Sequence, residues 1–169
     1  MEGRMVKGQI GVIGGAVCSP EIYEIACDVG REIARNGFAL VCGGLGGVME
    51  AACRGAQEAG GITIGLLPTS NKGDANPYCD LVIPTGLGHA RNILVVHAPE
   101  VALWPSDALV AVAGEAGTLS EIAIALPEVA LWPKIGKPIV GIKSWELDGR
   151  VPQAERGGEA VAILMDMLG

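Results

Sequence analysis

Aromatic residues are scarce in this chain: one Phe, two Tyr and three Trp make up 4% of 169 residues. In a sequence that is 50% hydrophobic, the core must therefore be filled mainly by Ala, Val, Ile and Leu. These side chains suit buried parallel strands and the helices that cover them, which favours α/β over a sandwich or barrel. Positive charge is also in deficit. Twelve Lys and Arg against 19 Asp and Glu give a net charge of −7 and a pI near 4.8, which argues against a nucleic-acid partner bound by neutralising many phosphates. A local phosphate pocket is compatible with that balance. The opening residues MEGRMVKGQIGVIGG lack the apolar stretch of a signal peptide, and no run of about 18 uncharged apolar residues suggests a membrane span. The expectation is a cytoplasmic protein with no membrane partner.

Paired cysteine spacing is missing too. The five cysteines, at positions 18, 27, 42, 53 and 79, form no CxxC and are odd in number. Neither a disulfide framework nor a metal site is expected, and most should be small buried hydrophobes. Cys18 precedes a helix start, where a thiolate would be stabilised, but the structural role is preferred there as well. The two histidines, His89 and His97, have no spacing that supports joint metal binding.

What is present is an alternation of apolar runs and helical periods. A chain of this length suits one domain, residues 1–169, and typically buries about 70% of the surface its unfolded form exposes. QIGVI (9–13) ends at Gly14 and Gly15. Ser19-Pro20-Glu21 then opens a helix in which Ile22, Ala26, Val29, Ile33 and Ala34 recur at helical spacing, up to a stop at Asn36-Gly37. FALVC (38–42) enters GGLGG (43–47), and VMEAACRGAQEAG follows as a helix. ITIGLL (62–67), LVIP (81–84), ALVAV (108–112) and PIVGI (138–142) read as further strands, with helical segments in GHARNILVVHA, LSEIAIAL and EAVAILMDML. Apolar strands separated by helices imply a Rossmann-like, doubly wound parallel sheet in three α/β/α layers. Such sheets bind ligands beyond the carboxyl ends of their strands.

Three glycine turns should share that edge: Gly14 and Gly15; Gly43, Gly44, Gly46 and Gly47; and Gly114 and Gly117. Glycine permits close backbone approach, and a helix N-terminus offers unpaired amides carrying about half a positive charge, so together they form a cradle for a phosphate. GGLGGVM lacks the lysine of a Walker loop, and neither GVIGGA nor GGLGG gives GxGxxG. In AGEAGTLSE, the Thr118 hydroxyl can donate to a phosphate oxygen. Taken alone, Glu121 reads as a charge favouring its helix N-terminus and Arg91 as a surface charge. His89 lies beside Arg91 and is a candidate ligand contact, whereas His97 reads as a capping or surface residue.

VCGGLGGVMEAACRGAQEAGGITIGLLP, followed by GEAGTLSEIAIAL and GKPIVGI, resembles the lonely guy family. The likeness is closer to the small branch that contains molybdenum cofactor carrier proteins, and it spans residues 9 to 142. Lonely guy enzymes hydrolyse the N-glycosidic bond of cytokinin riboside monophosphates and carry PGGxGTxxE. The resemblance places Gly114, Gly117, Thr118 and Glu121 on that motif, with Ala113 replacing Pro and Glu115 replacing the second Gly. Their HERK-like arginine corresponds to Arg91 in His89-Ala90-Arg91-Asn92, without the flanking Glu and Lys. The resemblance implies that Arg91 and Glu121 would be the catalytic pair if the chain is a phosphoribohydrolase, stabilising an oxocarbenium-like transition state while water attacks. Carriers of this branch hold a phosphate-bearing pterin without turning it over. Glu115 places a carboxylate in the turn that should approach phosphate, which favours binding over hydrolysis. The resemblance also implies a homodimer or higher homo-oligomer. No cofactor is required on this reading; the bound ligand would be a nucleotide or a molybdenum cofactor.

The heptapeptide PEVALWP occurs twice, at 99–105 and 127–133. The family pattern reads through both copies as though they were absent. The segments between them are not alike, so a repeat architecture does not account for them, and they are read as engineered loop insertions at the edge opposite the ligand site.

Overall fold

The computed structural model describes residues 6–97, 107–126 and 137–169. Both PEVALWP copies, and the expectations about them, lie outside these residues. The described elements run β1 (Gln9–Gly14), α1 (Pro20–Arg35), β2 (Ala39–Cys42), α2 (Val48–Glu58), β3 (Thr63–Leu67), β4 (Leu81–Pro84), α3 (Asn92–His97), β5 (Ala108–Val112), α4 (Ala116–Ala125), β6 (Ile139–Ile142) and α5 (Gly157–Leu168). Short 3-10 turns occur at Lys72–Asp74 and Gly88–Arg91.

The six strands form one parallel sheet in the order β4-β3-β2-β1-β5-β6. Strand β1 lies at the centre, with Gly11 opposite Val41 of β2 on one side and Leu109 of β5 on the other. Chain order runs outward from β1 to β4 and then resumes on the other side of β1, so the topological switch falls between β1 and β5. This is the expected Rossmann-like, doubly wound α/β fold.

Period-two alternation sends side chains to two cores. Ile10, Val12, Leu40, Cys42, Val110 and Val112 pack beneath α1, α2 and α5 with Ala26, Val29, Ile33 and Leu164. Ile13, Val41, Ile64, Leu109 and Ala111 face the other layer with Val95 and Val96 of α3 and Ile122 and Ala125 of α4. A fully buried Ile or Leu contributes roughly 1.5–3 kcal/mol relative to exposure. Strand β4 departs from the expected double cover. It is an edge strand, and Leu81 and Ile83 are 49% and 41% exposed.

Local chemistry sets the ends of α1. Extended Ser19 accepts a hydrogen bond from the Ile22 amide at 3.3 Å, Pro20 occupies the first turn, and Asn36 caps the far end before Gly37 at φ +85°. Helices α1 and α2 meet on bare backbone: a Cβ on Gly30 would overlap the Ala52 carbonyl oxygen, and one on Gly55 would overlap that of Cys27. Only glycine permits that seam. On the opposite layer the Lys137 amide donates to the Ala125 carbonyl at 3.0 Å, so the described residues on either side of the second heptapeptide meet directly. Among the described residues no helix is long and apolar enough to cross a membrane.

Candidate functional site

The strand order β2-β1-β5 brings the three glycine turns to neighbouring strand ends, as the sequence predicts. Gly14 pairs in register with Val112, and the Val48 amide at the start of α2 donates to the Gly15 carbonyl at 3.0 Å. A Cβ on Gly46 would stand 3.1 Å from the Ala16 carbonyl oxygen, and Gly47 (φ +60°) precedes α2. The connection from β3 to β4 holds the second turn from the other side. There the Asn76 amide donates to the Gly44 carbonyl at 2.8 Å, and Asn76 Nδ2 donates to the Leu45 carbonyl at 3.0 Å. Asn76 is buried, yet nothing in NKGDANPYCD distinguishes it from loop asparagines.

Arg91 and Glu121 come together beside these turns. Arg91 closes the 3-10 turn before α3, and Glu121 lies inside α4. Their side chains form a buried ion pair, Nη1 to Oε1, at 3.3 Å. The guanidinium lies flat against the backbone of Gly43, where a Cβ would overlap Nη2 and stand 2.6 Å from Cζ; any larger residue at 43 would displace it. Arg91 Nε is buried and, among the described residues, has no hydrogen-bond partner. A buried donor left in that state costs about 1–3 kcal/mol. Burial raises the Glu121 carboxyl to about 7, outweighing the opposing pull of the Arg91 charge. The carboxyl therefore changes protonation close to neutral pH.

The third turn surrounds the N-terminus of α4. Thr118 is buried, and Gly114, at φ +104°, packs so closely on it that a Cβ would overlap the threonine hydroxyl oxygen. Ala113 adopts φ +48°, and its carbonyl accepts from Ser144 Oγ at 2.7 Å. Proline, fixed near φ −65°, could not occupy that position. Substitution of the motif's proline by alanine thus accompanies a different backbone, and not only a different side chain. Glu115 is the exposed N-cap of α4 and makes no side-chain capping bond. Gly117 is exposed with open space where a Cβ would project, and His89 is exposed on the 3-10 turn.

The fold also groups three thiols that linear spacing did not connect. The sulfurs of Cys42, at the end of β2, Cys53 in α2, and Cys79 in the loop before β4 all lie within 4.8 Å of one another. Cys42 and Cys53 are fully buried, and Cys79 is partly exposed. No CxxC signal could have revealed a cluster whose members join only through parallel strand order. Cys18 follows the structural expectation: burial, and then the Glu50 carboxylate, push its thiol up.

A family model described as the SLOG cluster4 family matches residues 7–164. An uncharacterized protein of Archaeoglobus fulgidus is 47% identical over 132 residues, covering 78% of this chain and 82% of that protein. Among solved structures, the molybdenum cofactor binding protein of Rippkaea orientalis superposes with a TM-score of 0.82 at 32% identity, covering 98% of this chain and 99% of that one. The molybdenum cofactor carrier protein of Chlamydomonas reinhardtii gives a TM-score of 0.78 at 33% identity, covering 96% and 99%.

Proposed function

Since the chain belongs to the SLOG cluster4 family, we propose that it binds a phosphate-bearing nucleotide or pterin ligand of the molybdenum-cofactor type. The observation behind it is the Arg91 guanidinium lying on Gly43, in the glycine turn after β2, with its buried Nε unpartnered among the described residues. An anion held at this guanidinium would add a charge-assisted partner beside the Glu121 carboxylate. The amides of residues 45–47 and of the 114–118 turn, with the Thr118 hydroxyl, would hold the phosphate at the N-termini of α2 and α4. Two solved proteins of the same fold, at about one-third identity over nearly their whole length, are named for molybdenum cofactor binding or carriage. Such a cofactor brings its own metal chemistry when bound, and this chain's residues bind and orient it.

Calorimetric titration with a pterin phosphate and with AMP tests the reading. The wild-type chain should bind at least one of them. Gly43→Ala, which displaces Arg91, should weaken that binding about tenfold or more, in line with the roughly 1.5–3 kcal/mol of a charged hydrogen bond. Equal binding by Gly43→Ala, or none by the wild type, would sink the proposal.

One observation favours a second reading, a nucleoside 5′-monophosphate phosphoribohydrolase. Glu121 is buried against Arg91 with its carboxyl raised to about 7, in the range suited to proton transfer at neutral pH. Incubation with AMP and cytokinin riboside monophosphates separates the two readings. Base release that disappears in Glu121→Ala while ligand binding persists would replace the carrier reading.

A further inference from the structure

The cluster of Cys42, Cys53 and Cys79 takes no part in the phosphate site just described. Its sulfurs stand 3.5 Å apart between Cys42 and Cys53 and 3.9 Å apart between Cys53 and Cys79. A metal about 2.3 Å from each thiolate sulfur requires sulfurs about 3.8–4.0 Å apart, so small side-chain adjustments are enough to close on an ion. The three ligands come from three different elements, which the sheet, α2 and the β3 to β4 connection already hold in place. Cys79, partly exposed, provides the route in.

The donor set decides the ion. Structural zinc takes four ligands, and here, among the described residues, no fourth His, Cys, Asp or Glu joins the three sulfurs. The adjacent Asp80 is occupied: Oδ2 accepts from the Thr63 amide and from Thr63 Oγ1, both at 2.9 Å, and Oδ1 accepts from Gln57 Nε2 at 3.0 Å. Three thiolates alone suit a soft monovalent cation. We propose that Cys42, Cys53 and Cys79 form a three-coordinate, all-sulfur site for Cu(I). Binding forms three copper–sulfur bonds, releases whatever thiol protons remain to solvent, and involves no electron transfer. The site adjoins the glycine cradle, since the Gly44 amide donates to Cys42 Sγ at 3.3 Å.

The test is an anaerobic titration of the reduced full chain with Cu(I) in competition with bicinchoninate. One equivalent should be withheld from the chelator, with sulfur-to-copper charge-transfer absorption, and X-ray absorption should show three sulfurs at about 2.3 Å. Cys79→Ser should weaken retention more than about 100-fold, beyond the 10–100-fold typical of outer-shell partners. Cys27→Ser should leave retention unchanged. Cys79 is partly exposed, so its variant is expected to fold, and far-ultraviolet circular dichroism checks this. The Cys53→Ser variant is then compared on the same scale. No copper withheld by the wild type, full retention by Cys79→Ser, or equal loss in Cys27→Ser would overturn the site. A four-coordinate Zn(II) complex that outlasts Cu(I) against matched chelators would overturn the choice of ion.

Discussion

Glu121 couples the site to pH through its burial. Its carboxyl titrates at about 7 in the folded chain against an ordinary 4.5, so the folded state binds more protons than the unfolded between those values. Stability from this residue is therefore highest at low pH and falls as pH rises from about 4.5 to 7, by about 3 kcal/mol in total. Glu121→Gln should flatten that part of the profile. Melting curves at pH 5 and pH 7.5, between which about 2.4 kcal/mol of that change falls, should show the difference between wild type and variant shifting by roughly 5–10 °C against the wild type at the higher pH, given about 2–4 °C per kcal/mol at this chain length. Glu115 lies at the N-terminal end of the same helix as Glu121. It puts a negative charge on the N-cap of α4, where a charge is worth about 0.3–1 kcal/mol. Glu115→Gln should then tighten phosphate-ligand binding about two- to fivefold by calorimetry, and the gain should shrink as salt is raised.

Among the elements, the Lys137 to Ala125 hydrogen bond makes the connection between α4 and β6 tolerant of length. Excising residues 127–133 leaves both partners in the chain, and closing a shorter connection changes the free energy by only about 0.6 kcal/mol per halving of length. The shortened protein should keep its ligand affinity and melt within a few degrees of the parent; loss of cooperative unfolding would show that the heptapeptide has a place in the core. Element positions were legible where local chemistry decides them. Ser19, Pro20 and Asn36 mark α1 because capping depends on near neighbours. Phe38, Ile62 and Pro138 belong to strand-like apolar runs but stand just outside the strands, because an apolar run does not reveal where ladder pairing begins. LVIP reads like a buried strand, and only its place at the sheet edge exposes Leu81 and Ile83. The glycine turns were legible as motifs. The Arg91 to Glu121 pair was suggested by resemblance as two separate roles, and its direct contact became visible only through the fold. Asn76 and the thiol cluster had no local signal, since their partners are distant in sequence.

At the scale of the whole molecule, ligand binding should appear as added stability. A ligand that binds only the folded chain contributes about 2.7 kcal/mol at one hundred times its dissociation constant, or roughly 5–11 °C in melting temperature for a chain of this size. A pterin phosphate should give that shift in the wild type and little of it in Gly43→Ala. Hydrogen exchange should slow in the same complex at the amides of residues 45–47 and of the 114–118 turn.

The Gly30 and Gly55 seam has a consequence at a distance. Helix α1 hangs from the turn after β1, and α2 from the turn after β2, so the spacing between those turns is tied to how closely the two helices can lie. If those turns hold a ligand as proposed, the seam works as a gauge block for them: two hydrogen atoms where side chains would stand fix how far apart the turns lie. A single added methyl at position 30 would wedge the helices apart, and its mark should be read in ligand affinity as well as in stability.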